Sequence, residues 1–158
     1  MKGGWFKACD SGRRFILKIN QGEDIHERLR AFASEADVKN GIIISAVGSV
    51  YDVEFRGIKS GAKLPLTPAR TSTHMQAGPL ELLSLTGNIF PDEKNETDVH
   101  MHITVSKSSG EVLGGHLYGA KVFASCEVQV SEIIVTGVER HLSKSAGTST
   151  IYIEGENE

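Results

Sequence analysis

The stretch that decides the fold reads Val99-His100-Met101-His102-Ile103-Thr104-Val105, followed by Ser108-Ser109-Gly110 and then Gly114-Gly115-His116. Val99 to Val105 alternates apolar and polar residues, the pattern of a half-buried strand. Successive side chains on a strand point to opposite faces, so His100, His102 and Thr104 share one face. Met101, Ile103 and Val105 take the other, toward the core. Ser108-Ser109-Gly110 fits a three-residue hairpin loop with glycine in the left-handed conformation. Closing the hairpin there sets Lys107 opposite Glu111, so that His102 faces His116 and His100 faces Tyr118. Directly opposite side chains share a face, with Cβ atoms about 4.5–5.5 Å apart. A slip of one residue would send His116 to the other face.

Three imidazoles on one side of a metal leave at least one coordination position open. Zn²⁺ with three histidines and a free fourth position is the pattern of reactive or ligand-accepting sites rather than closed structural ones. Imidazole also suits copper, nickel and iron, so another divalent transition metal fits the same spacing. Zinc is the expected metal because it is a common histidine-bound ion without redox activity. Solvated surface histidines are the bland alternative. Gly114-Gly115 likewise has two readings, close approach of a ligand or another backbone, or a plain bulge or sheet packing position.

At 158 residues the chain is expected to form one domain with a real core. A hydrophobic fraction of 39% and a charged fraction of 23% are ordinary for a globular protein. The formal charge of −3 gives no global drive toward nucleic acid or anionic membranes. Cys9 and Cys126 are too few and too far apart for a disulfide framework or a CxxC site, so a reducing cytoplasm is the expected compartment. Met1-Lys2-Gly3-Gly4-Trp5-Phe6 lacks the apolar core of a signal peptide. No apolar run approaches the roughly 20 residues that cross a bilayer.

Arg14 to Ile19 reads as a strand. Asp24 is an expected helix N-cap, and Glu27 three residues on completes a capping-box pattern. Ile25, Leu29, Phe32, Ala33 and Ala36 give that helix one apolar face, with Asn40-Gly41 as its stop. His26 lies beside the stripe and reads as a helix-surface residue. Gly41 to Val50 reads as a short strand buried on both faces, Val53 to Ile58 as another. Ser60 to Gly78, with Pro65, Pro68 and many hydroxyl residues, reads as a long loop. It carries His74, expected at the surface. Further strands are expected at Leu80–Ile89, Lys121–Val130 and Ile133–Val138. One helix and about eight strands, mostly in antiparallel succession, argue for an α+β domain. The expected layout is an N-terminal extension over 1–12, the domain over 13–142 and a polar tail over 143–158.

Several of these blocks, in this order, resemble the plants and prokaryotes conserved (PPC) domain. They are Gly22-Glu23-Asp24, Gly41-Ile42-Ile43-Ile44-Ser45-Ala46-Val47-Gly48-Ser49-Val50 and Gly78-Pro79-Leu80-Glu81-Leu82-Leu83-Ser84-Leu85-Thr86-Gly87. His100-Met101-His102-Ile103-Thr104-Val105-Ser106 and Gly114-Gly115-His116-Leu117 complete the set. The resemblance runs from about Arg13 to Val138. It implies an α+β fold with a curved, mainly antiparallel sheet around one main helix, assembled as a homotrimer. It also implies, as in many prokaryotic members, a metal at the histidines matching His100, His102 and His116. Plant members generally lack those histidines and join the domain to AT-hooks, Arg-Gly-Arg-Pro segments that enter the minor groove of DNA. This sequence contains no Arg-Gly-Arg-Pro, and neither charge nor motif supplies a minor-groove arm.

Three functions follow as expectations. The first is a trimeric metal-binding module open to a small-molecule or protein ligand. The second is a metal-dependent enzyme, in which the metal lowers the pKa of bound water. That reaction needs a nearby acid or base, for which Glu127 is the leading candidate and Glu81 the runner-up. Either carboxylate could equally be a fourth ligand, a partner orienting a histidine, or an exposed strand residue. The third is a DNA-associated regulator, as the plant relatives suggest. The first is the reading adopted.

Overall fold

The computed structural model describes residues 2–156. The elements are β1 (Asp10–Asn20), α1 (Ile25–Glu35), β2 (Gly41–Ile58), a 3₁₀ turn (Pro68–Arg70), β3 (Thr71–Gln76), β4 (Leu80–Pro91), β5 (Thr97–Ser106), β6 (Val112–Ile134), β7 (Val138–Ser143) and β8 (Thr148–Ile153). Six strands form one antiparallel sheet in the order β1-β6-β5-β4-β2-β3. β2 and β6 also pair with each other, so β2, β4, β5 and β6 close into a ring. The fold is α+β, a curved sheet with one helix, as expected.

The helix starts where the capping pattern places it. The Asp24 carboxylate accepts the backbone N–H of Glu27 at 3.0 Å. Its other oxygen accepts the Ala120 N–H at 3.2 Å, tying the helix start to β6. Ile25, Leu29 and Ala33 are buried in the same core as Leu85, Met101, Ile103 and Val122. The helix ends earlier than Asn40-Gly41 suggested. Ala36 is its C-cap, and Asp37 takes the left-handed conformation at φ 50° that turns the chain away.

Two strand readings are corrected. Gly41–Val50 and Val53–Ile58 belong to one 18-residue strand, β2. It is not buried on both faces: Ile43 and Val50 are buried, whereas Ile42, Ile44 and Val47 stand 43%, 46% and 56% exposed. Their apolar character hid the alternation in the sequence. Likewise Lys121–Val130 is the middle of β6, a 23-residue strand that continues from the histidine hairpin. Strands this long serve two neighbours in turn, with bulges where they bend, for example between Gly48 and Val50.

Two irregular segments are also more ordered than expected. The later part of the Ser60–Gly78 loop contains β3, a six-residue edge strand paired to β2 from Val53↔Gln76 to Ile58↔Thr71. Its residues are mostly exposed, so no burial pattern marked it. Residues 143–158, expected as a polar tail, contribute β8, which pairs with β7 from Val138↔Ile153 to Ser143↔Thr148. Among the described residues no helix is long and apolar enough to cross a membrane.

Candidate metal centre

The hairpin has the predicted register. Lys107 N–H donates to Glu111 O at 2.9 Å, Gly110 N–H donates to Lys107 O at 2.9 Å, and Gly110 takes φ 84°. His102 therefore stands opposite His116. The expected pairing of His100 with Tyr118 is not made. The β5–β6 ladder ends at His102–His116, where β6 swings to β2 and His116 pairs on its other side with Arg56. His100 instead faces Asn88 of β4. Gly87, beside Asn88, lets the two strands meet, because a Cβ there would collide with the His100 carbonyl.

The three histidines nonetheless converge. One ligand atom from each of His100, His102 and His116 lies within 4.8 Å of the others. The His100 and His102 rings stack with centroids 5.3 Å apart and planes 8° apart, and the His116 ring meets both edge-on. The Nε2 atoms of His100 and His102 are 3.2 Å apart. Two nitrogens bound at 2.0–2.1 Å to a tetrahedral zinc are about 3.3 Å apart, so this pair already has the spacing that zinc requires. The donor set also fits: neutral imidazole is a good ligand for zinc and its neighbours.

Burial disfavours the charged form of two of the rings, His100 and His116. Desolvation, with Arg140 and the other two histidines adding to it, pushes His100 down to about 4. His116 is lowered by desolvation first, then by His102 and Arg56. Deprotonated nitrogens are what a metal needs.

Arg140 is the residue that sequence reasoning missed. It lies on β7, its side chain only 4% exposed, and its guanidinium donates to the Asn88 side-chain oxygen. Its Nε stands 3.2 Å from the Asp98 carboxylate. Asn88 and Asp98 flank His100, so the C-terminal hairpin is fastened beside the histidine group. No local pattern marks Arg140, because its partners are about 40 and 50 residues earlier in the chain.

The other candidates lie elsewhere. Glu127 is exposed on β6, between Lys18 and Val47, eleven residues from His116. Glu81 is exposed on β4, opposite Ser49 and Ser106. Within the described chain, neither carboxylate joins the histidine group or lines the cavity beside it. His26 is half-buried with Nε2 3.0 Å from the Val99 carbonyl oxygen. His74 is exposed on β3, its ring stacked on Phe55 at 6.1 Å. The β5–β6 register runs through Gly114-Gly115 without a bulge; Gly115 packs against the Phe55 ring, and at Gly114 the Ile103 carbonyl of the neighbouring backbone comes close.

Residues 6–134 match the family model of the Plants and Prokaryotes Conserved (PCC) domain, another abbreviation of the same family. This chain belongs to the PCC domain family. The PCC domain here is 30% identical over 141 residues to part of a bifunctional protein GlmU from a Synechococcus strain, covering 89% of this chain and 19% of that protein. It is 28% identical over 128 residues to AT-hook motif nuclear-localized protein 1 of Arabidopsis thaliana, covering 77% of this chain and 33% of the plant protein. The chain thus spans between a fifth and a third of these relatives. Among solved structures, a metal-containing protein from Archaeoglobus fulgidus shares the fold with TM-score 0.80 and 27% identity, over 93% of this chain and 98% of that one.

Proposed function

We propose that this PCC domain is a homotrimeric metal-binding module whose three-histidine centre, His100, His102 and His116, presents an open coordination position to a small molecule or a partner protein. The observation that carries the reading is the convergence of three imidazoles, with one ligand atom of each within 4.8 Å of the others, on one sheet face. The metal-containing relative from Archaeoglobus fulgidus supports it. Zinc is the proposed metal, on the chemistry of three imidazoles with one position left open. A bound zinc supplies a Lewis-acid position, while the chain's part is to hold the three nitrogens and to shape what can approach.

Binding is better supported than turnover. Among the described residues, no carboxylate lines the cavity that all three histidines border. Nucleic acid is the least supported partner, given the net charge of −3. The trimer is supported by the exposed apolar positions Ile42, Ile44 and Val47 of β2, with Leu83 and Phe123 on the strands beside it. An apolar face of this kind marks an interaction surface, and closed cyclic assembly is a usual way to cover one. A reducing, cytoplasmic setting is proposed from two free cysteines, Cys9 and Cys126.

Elemental analysis of protein purified without added metal or chelator, beside His102→Ala, tests the reading. About one zinc per chain, lost in the variant, is expected. No metal in either protein, with added zinc failing to bind, would refute it.

A further inference from the structure

His116 has a second cross-strand neighbour. On the outer face of the sheet, His102, His116 and Arg56 form one row across β5, β6 and β2. Adjacent strands lie about 4.8 Å apart, so Arg56 starts from the position beside His116 and lines the same cavity as the three imidazoles. Arg56 is exposed and makes no ion pair or hydrogen bond among the described residues. Its described aromatic contact is Tyr118, with the guanidinium 5.8 Å from the ring centre. It stands beside a cavity of about 500 Å³.

That cavity has an unusual balance of charge. Arg56 and the three histidines are its only ionisable lining residues among those described, and no Asp or Glu reaches it. A neighbouring hollow shares Arg56, His100, His116 and Thr148 with it and is lined besides by Asp24, Glu27, Glu54 and Asp98, but His102 does not border it. The 500 Å³ cavity is therefore the one onto which all three ligands open. Its remaining wall combines Ile58, Leu66 and Pro68 with the hydroxyl residues Thr67 and Thr148.

The wall is built rather than accidental. Arg70 Nη1 donates to the carbonyls of Lys63 and Pro65 at 3.0 and 2.6 Å, pinning the loop before β3. Leu66 N–H donates to Ala146 O at 2.7 Å, locking that loop to the β7–β8 turn. Gly147 in that turn lies so close to Leu66 that a side chain would collide with its backbone, at φ 71°. Three distant segments thus meet to enclose one pocket of a size typical for small-molecule sites.

We propose that this cavity takes a small organic anion, a carboxylate or phosphate on an apolar body, with Arg56 as the residue that recognises its charge. The inference rests on the metal-centre reading above and names the class of ligand that the open position receives. A metal and a guanidinium on the same face can share the oxygens of one oxyanion. The planar guanidinium fork matches a carboxylate or phosphate in a way that a lysine ammonium does not. Ile58, Leu66 and Pro68 then cover the apolar remainder, and the hydroxyls select its orientation.

Calorimetric titration of the full chain, loaded with zinc, with benzoate, phenyl phosphate and the neutral benzamide tests this. Arg56→Gln and Arg56→Lys are run in parallel, and zinc affinity is measured for each. Binding of benzoate or phenyl phosphate but not of benzamide is expected, and the stronger of the two anions identifies the oxyanion type. Arg56→Gln should weaken that anion by about tenfold or more while keeping zinc affinity, the loss expected for a charge-assisted hydrogen bond. Arg56→Lys should recover only part of it. The Co²⁺-substituted protein should change its visible spectrum when the anion binds. Zinc bound normally with no anion binding, or equal anion binding by wild type and Arg56→Gln, would overturn the inference and leave the metal centre standing. Failure of zinc to bind wild type would overturn the metal centre and this inference with it.

Discussion

His102 and His116 are direct cross-strand partners, one on each arm of the hairpin closed by Ser108-Ser109-Gly110. Everything at the centre depends on that register, because a slip of one residue would turn His116 into the core. Gly110 holds the register by taking φ 84°, a conformation that costs a residue with a Cβ roughly 1–2 kcal/mol. Gly110→Val should therefore lower stability by about that amount, read from urea unfolding of the metal-free protein. It should also weaken zinc binding. An unchanged midpoint and zinc affinity would show that the loop does not set the register.

Acid should act on the centre through His100. Its folded-state pKa of about 4 lies below the ordinary value of 6.5 because burial disfavours the charged ring. Between those values the unfolded chain binds a proton that the folded chain refuses, so the stability of the metal-free protein falls as pH drops through that window. Below about 4 both states are protonated and the loss levels off. Imidazole NMR of the metal-free protein should place the His100 midpoint near 4 and that of His116 below 6.5. A His100 midpoint at 6.5 would contradict the burial argument.

The C-terminal hairpin should be coupled to the histidines through Arg140. Arg140→Met removes the charge beside Asp98 and leaves the Asn88 oxygen without its donor. A loss of about 1–3 kcal/mol is expected, with the His100 midpoint rising, since Arg140 is one of the causes holding it down. Thermal unfolding and the same NMR titration read the two effects separately. A His100 midpoint unmoved by the substitution would show that Arg140 serves only to anchor the hairpin.

Assembly should depend on the outer face of β2. Ile44 is 46% exposed on that face, and Ile44→Asp places a charge in the proposed interface. Sedimentation should move from three chain masses to one while the circular dichroism spectrum is retained. A wild-type protein that sediments as a single chain would remove the trimer from the account.

The parts of this architecture that were legible in the sequence were local. The hairpin register followed from seven alternating residues and one glycine, and the helix start followed from Asp24 and Glu27. The reading stopped where distant segments meet. The alternation of β2 was masked because its solvent side carries Ile42, Ile44 and Val47, residues as apolar as those inside. His100 lost its expected partner because β6 changes neighbours at His116, a bend that pairing rules cannot foresee from one hairpin. Arg140, and the closure of the cavity by residues 147 and 148, depended on a hairpin whose second strand, the mostly exposed β8, looks like a polar tail. Glu127 was drawn in by its place on a strand following the glycine–histidine segment, but that strand is one continuous 23-residue span that carries it eleven residues beyond His116, between Lys18 and Val47.

X-ray absorption at the zinc edge, on protein reconstituted with one equivalent, tests the central claim most directly. The account predicts three imidazole nitrogens at about 2.0–2.1 Å and one further light atom from the ligand or solvent. A sulfur scatterer near 2.3 Å, or a shell without imidazole, would place the metal elsewhere and contradict the assignment to His100, His102 and His116.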